Sequence, residues 1–514
     1  MASSPRSAEL LAHDTASSGT PTSKGLAITL EPASADLRSP TAAKTAPAPT
    51  APRPAGSAAA PLRVIDDAVC TACGCICDDI RLSVAPGEAN IQQAEHACEI
   101  GRAWFTETLV ETDSTRSSAA AAWIEGRPAG VDAALDRAVE ILLRARNPLV
   151  YGLSETSCEA QRVAVELADL LRANLDTTTS TFHGPTVMAL QAVGESTCTL
   201  GEIRDRADLV MLWGVNPLET DPRHYTRYSL MPAGRFVPRG RADRYCVVVD
   251  VRPTPTAGLA DHALLIKPAS DFEALATLRA LAAGIEPDAE AVVVATGIEL
   301  AEWREVFARM RSARYGVILY GTGVTQTRGK HLNCEALLAL VSEMNRHTRF
   351  ACKAMRGPGN VTGGDNVLTW RTGYPFGVNF ARGFPRYSPG EYTAADLLAR
   401  REVDAALIIS SDPAPFFGPA ALAHLAAIPT VVIDARATAA RQQATVGLAT
   451  AYSGLQSGGT VYRMDEIPLT LRPALPAARP SEVEWLENLV ARIQARLGVG
   501  DGNSSDPIAV RGGA

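Results

Sequence analysis

No stretch of this 514-residue chain holds the roughly 18 to 20 uninterrupted apolar residues that a membrane-crossing helix needs, so a membrane-spanning role is not expected. Basic charge is also scarce. Forty-nine Lys and Arg stand against 56 Asp and Glu, a net charge of -7. Counterion-release binding to nucleic acid or to an anionic membrane requires a basic face, and neither partner is expected. The N-terminus lacks the basic-then-apolar pattern of a secretory leader and has no twin arginine, so the cysteines are expected to stay in a reducing cytoplasm. Apolar residues are abundant, at 46%. At this length that suffices for two or three domains with full cores.

Cysteine is sparse except in one stretch. Five of the ten fall within about thirty positions, in VCTACGCICDDI (Val69 to Ile80) and EHACEIG. Cys70 and Cys73 form a C-x-x-C pair that closes a tight chelate loop, Cys77 adds a third thiolate, and Cys98 can return as a fourth after a short strand and turn. Four thiolates at one point repel one another unless a metal holds them. A structural zinc and an iron-sulfur cluster both accept four cysteines. A disulfide pairing would suit a small secreted domain, which nothing here suggests. The scattered Cys158, Cys198, Cys246, Cys334 and Cys352 read as small buried thiols.

Residues 1–62 are rich in Ala, Pro, Ser and Thr and have no apolar periodicity, which reads as a disordered arm. The cysteine module occupies 63–110, with a turn at Pro86-Gly87 between short strands. A first α/β domain is expected over 111–300, a second over 301–475, and a C-terminal helix and tail over 476–514. The grammar begins at Val131: DAALDRAVEILLRAR is an amphipathic helix, PLVYGL a buried strand, and ETSCEAQRVAVELADLLRA a second helix.

Three pairs of segments repeat. RADLVMLWGVNP (Arg206 to Pro217) corresponds to VDAALIISSDP (Val403 to Pro413), and YCVVVDVRPT (Tyr245 to Thr254) to PTVVIDARAT (Pro429 to Thr438). PLVYGLSE near Tyr151 corresponds to VILYGTGV near Tyr320. The expected fold is therefore α/β: a small N-terminal four-cysteine module followed by two repeated doubly wound, Rossmann-like domains, with ligands beyond the carboxyl ends of their parallel strands. Gly214, Asn216, Asp250, Arg252, Gly321, Ser410, Asp412, Asp434 and Arg436 fall at such ends, where the same residue types also serve simply to end strands and start turns. An arginine-rich insertion, with Arg223, Arg227, Arg235, Arg239, Arg241 and Arg244, reads as an anion-binding loop or a subunit contact, the contact being preferred. Ser481 and Glu484 form a capping box for a final helix ending at Gly498, with Val483, Leu486, Val490, Ile493 and Leu497 on its apolar face.

The cysteine module, the repeats and a late GGTVYRM segment (Gly458 to Met464) together resemble the catalytic subunits of molybdopterin-dependent oxidoreductases. With YGLSETSCEAQ, FHGPTVMALQAVG, NPLETDPRHYTRY, RGKHLN, MRGPGNVTG, RTGYPFGVNF and PRYSPGE in one order, residues 63–475 resemble the B subunit of formylmethanofuran dehydrogenase. The resemblance implies that Cys70, Cys73, Cys77 and Cys98 hold a 4Fe-4S cluster, with zinc as the alternative, and leaves Cys75 spare. It also implies a molybdenum or tungsten ion on molybdopterin guanine dinucleotide, held by a cysteine directly before His-Gly-Pro. In this chain that position is Phe182, and a phenyl ring has no lone pair for a metal. His183 and Arg356 then line a vestigial pocket. This departure points to the bacterial formyltransferase/hydrolase complex, whose B subunit is a non-redox member of the family. The expected function is thus a structural B subunit that works with A-, C- and D-type partners in tetrahydromethanopterin-linked conversion of a formyl group to formate. A redox-active dehydrogenase subunit with molybdopterin and a cluster is the alternative, and a zinc-stabilised α/β nucleotide-binding protein is a second.

Overall fold

The computed structural model describes residues 62–85, 91–114 and 120–499, with side chains left undescribed over 107–114. The N-terminal arm, apart from Leu62, and the Pro86-Gly87 turn lie outside the described residues. The short apolar runs become parallel strands: Leu209–Trp213 and Ala405–Ile409 are buried at every position, as strands covered on both faces must be.

Two sheets organise these strands. The five-stranded one is wholly parallel and runs His262–Leu265, Tyr245–Asp250, Leu209–Trp213, Tyr315–Tyr320, Arg349–Ala354 across the sheet. The nine-stranded one has a parallel core ordered Val446–Ala449, Thr430–Asp434, Ala405–Ile409, Pro148–Gly152, Asn174–Thr177. Short antiparallel strands extend that core on both flanks. Laid side by side, the two five-strand cores put Leu209–Trp213 in the place of Ala405–Ile409, Tyr245–Asp250 in that of Thr430–Asp434, and Tyr315–Tyr320 in that of Pro148–Gly152. These are the segments that repeat in sequence.

The boundary expected at residue 300 needs correction. Pro148–Gly152 pairs with Ala405–Ile409, and Leu209–Trp213 with Tyr315–Tyr320, so each sheet draws strands from both sides of that position. The nine-stranded sheet takes its strands from 122–177 and 378–449, and the five-stranded sheet is inserted between them. Local pattern reports that a strand exists; it does not report which distant strand it joins.

The cysteine module is a three-stranded antiparallel sheet of Arg63–Ala68, Ile80–Val84 and Ile91–Glu95, with the cysteine loop between the first two strands and Cys98 just before the helix Glu99–Ser114. Ile80 and Leu82 share one buried cluster with Val210, Leu212 and Tyr225, which seats the module on the five-stranded sheet. The last helix, Glu482–Leu497, begins with the Ser481–Glu484 capping box and ends at Gly498 in the left-handed region, with φ 68°. Trp485, Leu486, Leu489, Val490 and Ile493 form its buried face, whereas Leu497 is 39% exposed. Among the described residues no helix is long and apolar enough to cross a membrane.

Candidate functional site

The cysteine loop is pinned by its own backbone. Cys70 N–H donates to the Cys77 carbonyl at 2.8 Å and Ile76 N–H to the Cys73 carbonyl at 3.2 Å, closing a tight turn. Gly74 is required there: a Cβ would lie 2.2 Å from the Arg356 carbonyl oxygen, and the Gly74 carbonyl accepts Met464 N–H at 3.1 Å. Cys70 and Cys98 meet at Gly101, where a Cβ would stand 3.1 Å from one Sγ and 3.8 Å from the other. The Cys70 thiol is pushed up by burial, and the neighbouring Cys73, Cys77 and Cys98 add to the shift. Burial likewise drives Cys77 up to about 12, opposed by the Arg223 charge. Cys75 does not stand apart as expected. Its Sγ, the Cys73 Sγ and an Asp221 carboxylate oxygen lie within 4.8 Å of one another.

A cavity of about 600 Å³ opens at the carboxyl ends of the parallel strands of the larger sheet. Glu155, Phe182, His183, Asp412, Phe416 and Arg436 are among its walls, each supplied by a segment that follows one of four adjacent strands. The Phe182 ring stands edge-on to Phe416, with centroids 4.7 Å apart. Its carbonyl accepts from Thr325 Oγ1 at 2.6 Å and Gln326 Nε2 at 3.0 Å, fixing the short helix Thr178–Phe182 against the neighbouring loop. His183 is buried, with Nδ1 3.3 Å from Thr186 Oγ1 and Nε2 without a hydrogen-bond partner among the described residues. Burial, helped by the Arg356 charge, lowers its pKa to about 3 and keeps the ring neutral. Arg356 pairs with Asp365 at 2.5 Å and donates to Thr179 Oγ1 at 2.8 Å, while Thr179 Oγ1 donates to Asp365 at 2.6 Å. Since the Arg356 carbonyl meets Gly74, this residue joins the cysteine loop to the cavity.

Among the lining residues, Arg436 pairs with Glu155 at 2.6 Å, and its backbone N–H donates to the buried Asp434 at 2.8 Å. Burial raises both carboxyl groups above their ordinary range, and Arg436 opposes that rise. Thr178 Oγ1 and Asp434 Oδ2 are further buried polar atoms without partners among the described residues. Buried polar atoms are normally satisfied, so their concentration here marks a place shaped for a polar guest or for water.

The remaining strand-end residues lie on the other sheet, apart from Ser410 and Asp412, and the structure gives most of them a local task. Gly214, at φ 56°, accepts Gly323 N–H on its carbonyl at 3.0 Å, and a Cβ on Gly321 would meet that carbonyl oxygen at 2.9 Å. Asn216 Oδ1 accepts Thr256 N–H at 3.3 Å, although its Nδ2 has no partner among the described residues. Asp250 accepts Val251 N–H at 2.7 Å, Asp412 accepts Ala414 N–H at 3.0 Å, and Arg252 is exposed.

Much of the arginine-rich insertion is engaged within the chain, although Arg235 and Arg239 stay exposed. Arg223 and Arg227 grip Asp79 and Asp78 beside the cysteine loop. Arg241 pairs with Asp261, Arg239 with Asp243, and buried Arg244 donates to the Ile203 and Pro232 carbonyls at 3.0 Å. Sequence reasoning missed Thr179, Asp221, Asp365 and Phe416. Each lies inside a segment whose pattern was noted or beside one, but an isolated acid, hydroxyl or ring gives no periodic signal.

Two sheets with parallel cores, and a cavity at the strand ends of the larger one, define an α/β protein with a clustered-cysteine loop. Acetylene hydratase from Pelobacter acetylenicus shares the fold at 12% identity, with a TM-score of 0.59 over 85% of this chain and 69% of that one. The formyltransferase/hydrolase complex FhcABCD of Methylorubrum extorquens, solved with methylofuran, contains a chain matching with TM-score 0.59 and 26% identity over 74% of this chain and all of that one. No family profile matches. In sequence, the B subunit of tungsten-containing formylmethanofuran dehydrogenase 2 from Methanocaldococcus jannaschii is 40% identical over 447 residues, 85% of this chain and 100% of that protein. The B subunit of the Methylorubrum extorquens formyltransferase/hydrolase complex is 30% identical over 383 residues, 73% and 98% respectively. The chain belongs to the family of formylmethanofuran dehydrogenase B subunits.

Proposed function

We propose that this chain is the B subunit of a multisubunit one-carbon complex that releases a carrier-bound formyl group as formate, and that it performs no redox chemistry itself. The observation that carries this reading is Phe182. Its ring, packed on Phe416, lines the cavity directly before His183, where the family resemblance calls for a metal-binding thiolate. The residues present therefore do not fit a molybdenum or tungsten ion held by a protein sulfur. The mostly apolar walls of the cavity, with Arg436, Asp412 and the unpartnered His183 Nε2 set among them, suit an organic guest that carries a few polar groups. Partners of the A, C and D types are proposed from the assembly in which the Methylorubrum relative was solved.

Cys70, Cys73, Cys77 and Cys98 suit a 4Fe-4S cluster. A single tetrahedral zinc would draw its thiolates to about 3.8 Å from one another, given Zn–S bonds of about 2.3 Å. No three of these four sulfurs lie within 4.8 Å of one another, and a four-iron cluster spreads its ligands more widely. When bound, such a group would supply a rigid cross-link between the loop and the helix after Cys98, a structural role that needs no electron transfer. The repeated strand order supports two doubly wound units of common design with turn-forming residues at their ends. The expected location is the cytoplasm.

A second reading, a redox-active dehydrogenase subunit, is favoured by the 40% identity to a tungsten-containing relative. A stand-alone nucleotide-binding protein loses its ground once the family is assigned. The test is metal and pterin analysis of the intact complex, combined with formylmethanofuran turnover in the presence of an artificial electron acceptor. Formate release without electron transfer is expected. Acceptor reduction with stoichiometric molybdenum or tungsten would overturn the proposal.

A further inference from the structure

The cysteine loop contains one thiol more than the four-cysteine group uses, and that thiol has company. Cys75 is completely buried, and its Sγ, the Cys73 Sγ and an Asp221 oxygen are mutually within 4.8 Å. Asp221 is 6% exposed, takes a hydrogen bond from Thr220 Oγ1 at 2.8 Å, and has no ion-pair partner among the described residues. The cations nearest in sequence, Arg223 and Arg227, are occupied by Asp79 and Asp78. A buried carboxylate is ordinarily paired with a cation or bound to a metal, and two adjacent thiols make a soft donor set around this one. The backbone holds the donors in place: Gly74, between the two cysteines, is pressed against Arg356, and Asp221 donates its N–H to the Pro217 carbonyl at 2.9 Å.

We propose that Cys73, Cys75 and Asp221 form a mononuclear site for zinc, with water as the fourth ligand, and that this site and the four-cysteine group compete for Cys73. The proposal rests on the four-cysteine reading above. Cysteine thiolates and carboxylate oxygens are both zinc ligands, and three protein ligands plus water complete its tetrahedron. Binding forms two Zn–S bonds and one Zn–O bond and releases the protons carried by the two thiols, with no change of oxidation state. A chain that has not received iron would then hold its loop closed with zinc, and cluster insertion would require Cys73 to change partners while Cys75 and Asp221 release the ion.

The test uses the full-length chain purified anaerobically with its partner subunits, stripped of metal by a chelator and equilibrated with Zn²⁺ alone, the bound ion being counted by elemental analysis. One zinc per chain is expected. Cys75→Ser and the near-isosteric Asp221→Asn should each weaken its binding at least about tenfold, while Cys98→Ala leaves it in place. Iron reconstitution of the same set should depend on Cys98 and survive Cys75→Ser, and iron-loaded protein should take up no zinc. Zinc retained at full affinity by both Cys75→Ser and Asp221→Asn, with iron still requiring Cys98, would overturn the site and leave the four-cysteine reading standing. Zinc that disappears in Cys98→Ala, with no iron taken up by the unmodified chain, would overturn both.

Discussion

At the scale of single residues, Arg356 carries the most weight, because its backbone braces the cysteine loop and its side chain holds Asp365 and Thr179. The guanidinium and the Asp365 carboxylate are each 11% exposed, so the pair is nearly out of water. Breaking such a pair costs more than the pair is worth, since the surviving charge stays buried without compensation. Asp365→Ala is therefore expected to destabilise the chain by about 3–5 kcal/mol, and the double replacement Asp365→Leu with Arg356→Met by distinctly less. Denaturant unfolding of the three proteins checks this; equal losses in single and double variants would show that Thr179, not the ion pair, holds the site. Arg356 was legible in the string MRGPGNVTG, but Asp365 was not. A buried acid is recognised only once its partner is known, and that partner lies nine positions away across a turn and the start of a helix. Cysteine spacing told more, because chelation constrains local sequence, yet it placed Cys75 outside the cluster of donors that Asp221 completes.

Among the elements, the final helix was the most legible. Its capping box, left-handed stop and most of its apolar face follow from local rules that act within one or two turns. Its first residue was not legible. Glu482 occupies a position where acids usually face water at a helix N-terminus, but here it is 2% exposed and accepts from Ser410 Oγ at 3.1 Å and Ser453 Oγ at 3.4 Å. Burial raises its pKa to about 7, and nearby Asp434 adds to the shift. The folded chain thus binds this proton more tightly than the unfolded chain does, and the contribution to stability is fully present below the unfolded pKa. It is lost as pH rises through about 7, amounting to about 3 kcal/mol for a shift of this size. Glu482→Gln removes the titration, so its melting temperature should exceed that of the parent at pH 8 by more than at pH 5. Parallel pH profiles for the two proteins would show that the Glu482 carboxyl is ionised throughout. The arginine-rich insertion was partly legible for a related reason: composition reported a run of cations, and only the fold could show that acids and carbonyls within the chain engage many of them.

For the whole molecule, the sequence repeats locate matching strands, but they leave open how the chain connects them. One parallel sheet is inserted within the other, so that Pro148–Gly152 and Asn174–Thr177 wait for Ala405–Ile409 before their sheet can close. Leu209–Trp213, Tyr245–Asp250 and His262–Leu265 similarly wait for Tyr315–Tyr320. A cut at residue 300, where composition and pattern suggested two successive domains, leaves both sheets incomplete in both fragments. The main core shows the same interdependence, since Val150, Leu167 and Leu175 pack in one cluster with Leu407, Ile433, Leu448 and Trp485. Each fragment would expose unpaired parallel strands and half of a buried apolar surface, the conditions that favour aggregation over folding. Residues 1–300 and 301–514 expressed separately are therefore expected to be insoluble or to unfold without a cooperative transition, whereas co-expression should recover a soluble, cooperatively melting pair. Either fragment melting cooperatively by itself, followed by circular dichroism, would mean that the sheets fold independently and that the inserted arrangement is not what holds this protein together.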